Sequence, residues 1–183
     1  MRLIFFLLSF FILISCKPEL ENKTQEVLYF DVKKLIAKQA GLLDSANARV
    51  QKFIRHDKQR ENARVKINWQ QELKIFEEAN LNRPIYKDLY SQTDSIVQHT
   101  TYRVFTAKQN NLQVKYMRLV YENKQLKTLD ANLVIQNILY HSEKQLRLSF
   151  KSNGTLAGYA VKGNFATVYG TKYDYEIDAV VVK

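Results

Sequence analysis

The stretch QLRLSFKSNGTLAGYAVKG, residues 145–163, decides how the chain folds. Asn153-Gly154 stands between two runs in which apolar and polar residues alternate. That dipeptide is the preferred filling of a two-residue type I′ turn, in which both central positions take positive φ. Folding about it sets Phe150 against Ala157, Leu148 against Tyr159 and Leu146 against Val161. All three pairs fall on one face, because strand side chains alternate with a period of two. The register supports itself, so residues 145–151 and 156–167 are expected to pair as antiparallel strands.

The same period runs outward in both directions. From Thr100 onward it predicts further strands over residues 101–107, 112–121, 126–136 and 172–182. The last of these sets Tyr173, Tyr175, Ile177, Ala179 and Val181 against Asp174, Glu176 and Asp178. Short polar segments separate successive strands, which favours an antiparallel meander. Before Thr100 the spacing is helical. Asp31 is a plausible N-cap, and Val32, Leu35, Ile36, Ala40 and Leu43 then form an apolar stripe. Asn68 followed by Gln71 fits a relaxed capping box. A second helix is expected from Trp69 to about Leu81, with Trp69, Leu73, Phe76 and Ala79 on one side. Asn82-Arg83-Pro84 ends it, because a residue before proline is pushed out of helical geometry. Residues 85–98 read as a packed loop or short helix.

Residues 49–67, RVQKFIRHDKQRENARVKI, fit either a helical extension or a hairpin turning at 57–61. The β-branched residues at both ends and the polar middle favour the hairpin. The fold class expected is α+β: an antiparallel meander of about six strands, its apolar face covered by two helices from the N-terminal half.

The N-terminus has a different character. After Met1 and Arg2 come a dozen residues of mostly apolar character, Leu3 to Ile14, then Ser15 and Cys16. A basic start, a short apolar run and a small residue are the layout of a secretory signal, and the run is short for a spanning helix. Leu13-Ile14-Ser15-Cys16 resembles the lipobox of bacterial lipoproteins. The resemblance implies cleavage before Cys16, acylation of its thiol (diacylglycerol and palmitate-type chains) and an exported product. Lys17, where an Asp would signal retention at the inner membrane, implies the outer membrane. Residues 1–15 are thus expected to be a cleaved signal peptide, residues 16–27 a lipidated Cys with a polar tether, and residues 28–183 one folded domain. Two or more acyl chains hold a protein stably on a bilayer where one does not.

Looser likenesses lie further on. Asn68-Trp69-Gln70-Gln71-Glu72-Leu73-Lys74-Ile75-Phe76, then Asn82-Arg83-Pro84 and Asn137-Ile138-Leu139-Tyr140-His141-Ser142, resemble small Bacteroidota-type envelope lipoproteins. Asn68 stands where an acidic residue is expected in that pattern. The resemblance implies an envelope location and carries no activity, so no site residue is transferred.

The chain carries a formal charge of +10, of which only Arg2 lies before Cys16. An exported domain rarely meets nucleic acid, so anionic lipid, lipopolysaccharide or an envelope protein is the better-matched partner, and no nucleic acid is expected. With Cys16 acylated no disulfide can form. His56, His99 and His141 lie far apart, no metal-ligand spacing occurs, and no nucleophile elbow or phosphate loop is present. No metal, cofactor or catalytic residue is therefore expected, and the protein is read as a non-enzyme. His141 and Glu143 read as an exposed polar pair, and Glu72, Glu77 and Glu78 as the solvated side of a helix. Two surfaces remain as candidate sites. One is the basic segment Arg49, Lys52, Arg55, Lys58, Arg60, Arg64 and Lys66. The other is an aromatic face made by Tyr159, Tyr173 and Tyr175, with Phe165 and Tyr169 nearby, which could stack sugars or receive an acyl chain. The function expected is a tethered binding or structural role, with a carrier of a hydrophobic ligand as the alternative and a glycan-acting enzyme last.

Overall fold

A computed structural model describes residues 28–57 and 59–182; Cys16, the expected signal peptide and tether, and Lys58 lie outside these residues. Helix α1 (Val32–Ser45) starts as its sequence dictates: the Asp31 carboxylate accepts the Lys34 N–H at 2.9 Å. Its buried stripe is Val32, Ile36, Gln39, Ala40 and Leu43. The strands follow as β1 (Arg49–His56), β2 (Gln59–Val65), β3 (Tyr90–Val97), β4 (Thr100–Ala107), β5 (Val114–Glu122), β6 (Gln125–Gln136), β7 (Tyr140–Phe150), β8 (Leu156–Thr167) and β9 (Lys172–Val182). All nine belong to one antiparallel sheet in the order β2-β1-β9-β8-β7-β6-β5-β4-β3. The α+β class and the meander from β4 to β9 stand, but the sheet has nine strands where the period-two reading predicts about six.

Three strands account for the difference. Residues 49–67 do form a hairpin, and its turn is tighter than expected, with β2 resuming at Gln59. That hairpin joins the main sheet, because β1 pairs with β9 and sets Val50 opposite Val181 and Ile54 opposite Ile177. β3 replaces the loop or helix expected over residues 85–98. Only Tyr90 of β3 is buried. An edge strand needs little apolar alternation, so its sequence carried no period to read. Its hold on β4 includes a bidentate ion pair between Asp94 and Arg103, at 2.7–3.1 Å. Both sheet edges, β2 and β3, are exposed and largely polar, with Ile96 and Val97 apolar at the end of β3, and the polar run discourages pairing with another chain.

The hairpin in residues 145–163 keeps its face but not its turn. Leu148 pairs with Tyr159 and Leu146 with Val161 as expected, but Phe150 meets Leu156 rather than Ala157. Only Gly154 has positive φ, at +79°, while Asn153 does not. The turn is of type I followed by a glycine bulge, closed by Gly154 N–H to Lys151 O and Lys151 N–H to Thr155 O. Asn153 serves through its side-chain oxygen, which accepts from the Thr155 N–H and hydroxyl. The extra residue turns Leu156 inward, where it is fully buried.

The second helix is shorter than predicted. α2 (Trp69–Glu72) makes one α-turn, capped by Asn68 accepting the Gln71 N–H at 2.9 Å, and residues Leu73–Ala79 continue as a 3₁₀ helix. Leu73, Phe76 and Ala79 recur every third residue, which aligns them on one face of a three-residue helix. Pro84–Tyr86 form another 3₁₀ turn. The core lies between these helices and one face of the sheet. Trp69, Leu73 and Phe76 meet Leu119, Leu129, Leu146 and Leu148 there, all at most 1% exposed. The Trp69 indole N–H donates to Ala48 O at 3.1 Å, so burying it strands no polar group.

Candidate functional site

The pairing registers divide the basic segment between two faces. Val50, Lys52 and Ile54 point to the helix side, so Arg49, Gln51, Phe53 and Arg55 point to the uncovered side. Arg55 pairs with Arg60, Phe53 with Asn62 and Gln51 with Arg64. Arg49, Arg55, Arg60 and Arg64 therefore share the uncovered face at the β1–β2 edge. Arg55 is also tied to Glu176 of β9. Around half-exposed Phe53 runs a hollow of about 420 Å³, lined also by Arg55, Arg60, Asn62, Glu176 and Asp178.

Lys52 and Lys66 lie elsewhere. Lys52 is not a surface contact but an internal one: its ammonium lies 2.7 Å from the Glu72 carboxylate, both side chains at most one-fifth exposed. Lys66 lies past the end of β2 and reaches Asn47 at 3.3 Å.

Glu72 also accepts a hydrogen bond from the Tyr159 hydroxyl. Burial, reinforced by that bond and by the charge of Glu72, raises the Tyr159 pKa far above that of an ordinary phenol. Glu78 is held by Lys144 of β7 at 2.8 Å. These two carboxylates pin the helical layer to the sheet and are not the solvated side of a helix that their spacing suggested. His141 and Glu143 are the expected pair, 3.2 Å apart and partly exposed, because β7 begins at Tyr140.

The aromatic face also divides. Tyr159 is core, 5% exposed, with its ring edge-on to Phe76 at 5.7 Å. Tyr173 and Tyr175 lie on the same side of the sheet but beyond Glu78, where the helices stop covering it. Tyr175 lies over Gly163: a Cβ added there would sit 2.5 Å from its hydroxyl oxygen and 2.8 Å from Glu143 O. Tyr173 belongs to a stacked row, Tyr140–Phe165–Tyr173, with ring centres 5.2 Å apart at each step. His56 closes the row 5.5 Å from Tyr173.

One cluster escaped the sequence reading altogether. On the uncovered face Arg118, Asp130 and Arg147 stand side by side on β5, β6 and β7. Asp130, 6% exposed, lies 3.0 Å from Arg118 and 2.5 Å from Arg147. Twelve and seventeen residues separate the carboxylate from its partners. Only the strand registers bring them together, so no spacing in the sequence signals the group. Asp130 and Arg147, with Lys162 and Glu176, line a hollow of about 210 Å³.

Among the described residues no three His, Cys, Asp or Glu side chains gather to hold a metal ion, and no helix is long and apolar enough to cross a membrane. Compared with protein-family models, with curated proteins and with solved structures, the chain matches none.

Proposed function

We propose that this protein is an envelope lipoprotein, cleaved before Cys16 and anchored through it to the outer membrane. In this reading the folded domain binds an anionic envelope component without catalysing a reaction. The observation that carries the binding role is the convergence of Arg49, Arg55, Arg60 and Arg64 on the uncovered face of an edge hairpin. Guanidinium groups recognise phosphate and carboxylate in bidentate fashion, so lipid headgroups, lipopolysaccharide or an acidic patch of an envelope protein match the surface. The close-packed layer between helices and sheet supports binding at the surface rather than inside.

The anchor and the binding face are tested separately. Cys16→Ser abolishes acylation by intact mass and releases the protein from membrane fractions; unchanged mass and fractionation refute the anchor. Arg60→Glu with Arg64→Glu weakens binding to lipopolysaccharide or anionic vesicles and flattens its salt dependence, since exposed charges are screened by salt. Equal binding by the variant refutes the arginine face.

A second reading, carriage of a hydrophobic ligand, is favoured by one feature. An open groove of about 420 Å³ beside α2 is lined by Ile67, Ile75, Tyr159, Val161 and Ile177, with Asn68, Gln71 and Glu72 at its rim. Lipid retained by residues 17–183 through purification, detected by mass spectrometry, would favour it, and lipid-free protein would count against it.

A further inference from the structure

We infer that the tips of the β6–β7 and β8–β9 hairpins dip into the lipid bilayer to which the chain is anchored. The inference rests on the anchoring reading above, and its test separates the two. In the antiparallel sheet, Val114 pairs with Leu133, Leu133 with Lys144, Lys144 with Gly163 and Gly163 with Tyr175. Beyond that row continue these two hairpins, the short β1–β2 turn and the β4–β5 connection, residues 108–113, and of these the two hairpins carry the highly exposed apolar side chains. At about 3.3 Å per residue, the five residues from Leu133 to Ile138 carry the tips roughly 15 Å further.

Both tips end in apolar side chains. Ile138 and Tyr169 are 89% exposed, and Leu139 and Val168 are 58% and 61% exposed. The stacked Tyr140–Phe165–Tyr173 row stands directly behind them. Tyrosines behind an apolar point suit the zone where headgroups meet acyl chains.

The backbone of the tips suits that environment too. A peptide group taken out of water is costly unless it is hydrogen-bonded. Here the Asn137 side-chain oxygen accepts the N–H groups of Leu139 and Tyr140, at 2.8 and 3.0 Å. The Val168 N–H donates to Leu139 O at 3.1 Å and ties one tip to the other. Within the second tip, Gly170 N–H donates to Thr167 O, and Thr171 N–H to the Thr167 hydroxyl. Exposed apolar side chains thus sit on turns that have satisfied many of their own polar groups.

The position of the chain's N-terminal end names the occupant. Tyr29 is pinned at this same end of the sheet: its N–H donates to Asn82 Oδ1 at 2.8 Å, and its hydroxyl accepts from Tyr90 N–H, the first residue of β3, at 3.4 Å. Tyr90 in turn donates to Val114 O, the first residue of β5, at 3.0 Å. The twelve residues from Cys16 to Val27 span at most about 40 Å. An anchor on this chain, attached at the end where the tips project, keeps them within reach of the membrane. Lys108, Lys115 and Lys172 at this end suit anionic headgroups. A second copy of the chain fits less well, since four side chains on two turns fall short of the roughly 800 Å² per partner that stable association buries.

The experiment uses the absence of any cysteine other than Cys16. Tyr169→Cys is labelled with an environment-sensitive fluorophore in the full chain. The protein is placed on vesicles of phosphatidylethanolamine and phosphatidylglycerol, with and without brominated acyl chains. Gln125→Cys, at the opposite end of the sheet, is the control. The expected result is a blue shift at position 169 and loss of signal with brominated lipid, neither occurring at 125, and both diminished by Ile138→Ser with Val168→Ser. Intact mass reports acylation of Cys16 independently. Acylated protein with an aqueous signal at 169 overturns the tip inference and leaves the anchor standing. In a Cys16→Ser background, a blue shift on adding vesicles supports the tips even if the anchor reading fails. A blue shift that grows with protein concentration and needs no vesicles means self-association and overturns the inference.

Discussion

Gln39 offers the sharpest test of how the helical layer is attached to the sheet. It is 2% exposed and lies in the middle of the buried stripe of α1. Its side-chain oxygen accepts the Leu156 N–H at 2.8 Å, and its side-chain nitrogen donates to Gly154 O at 2.9 Å. One side chain thus clamps the helix to the bulged β7–β8 turn. Gln39→Met keeps the length and removes both bonds. Leu156 is fully buried, so its N–H finds no water and costs about 1–3 kcal/mol. The Gly154 carbonyl is partly exposed and regains water, and the added apolar surface returns about 0.8 kcal/mol per buried CH₂. The net expectation is a loss of about 1 kcal/mol, or a Tm lowered by about 3 °C for a domain of this size.

Gln39→Glu separates the hydrogen-bond account from one of simple volume. Its carboxylate still accepts from Leu156 but faces the Gly154 carbonyl, so the buried site disfavours the charged form and raises its folded pKa. The variant's stability relative to wild type is then highest below about pH 4.3, the usual value for Glu, and falls as pH rises through the folded value. Urea unfolding followed by circular dichroism between pH 3 and 7 reads both effects. A Gln39→Met midpoint equivalent to less than about 0.5 kcal/mol of change, or a pH-independent Gln39→Glu deficit, refutes the clamp.

Three further outcomes are expected. Gly154→Val forces a β-branched residue to φ +79° and costs on the order of 1–3 kcal/mol, whereas Asn153→Val loses only its side-chain bonds to Thr155; equal thermal shifts would refute the turn assignment. Gly163→Ala drives Tyr175 off the sheet and lowers Tm, while Gly41→Ala in α1, with open space at its Cβ, raises stability by roughly 0.5–1 kcal/mol. Tyr90 and Tyr159 have pKa values raised mainly by burial, so the stability they contribute is intact below pH of about 10 and declines as pH rises beyond it. Absorbance at 295 nm should show phenols that ionise only as the protein unfolds, and all tyrosines titrating together in the folded state would refute this.

Where the sequence had a period, it was legible. Asp31 and Asn68 announce their helices because a cap acts within three residues, and β4 to β9 announce themselves because one face of each is buried. The joining of β1 to β9 was not legible, since it pairs residues more than a hundred positions apart. Gln39 could not be told from a solvated helix position, because its partners are backbone groups of a distant turn. β3 was missed because an edge strand buries almost nothing, and Glu72 and Glu78 were misread because the lysines that hold them are brought in by the sheet.

The sequence by itself determined the α+β class, the meander, the first helix and the face of the 145–163 hairpin, all set by local spacing and side-chain alternation. Tertiary structure decided which charges act together. Registers across β1 and β2 sorted Arg49, Arg55, Arg60 and Arg64 from Lys52, and registers across β5 to β7 assembled Arg118, Asp130 and Arg147. They also placed Ile138, Leu139, Val168 and Tyr169 at one end with Tyr29. A one-residue slip in pairing reverses a side chain's face, so no local pattern can settle such groupings; only the folded sheet does.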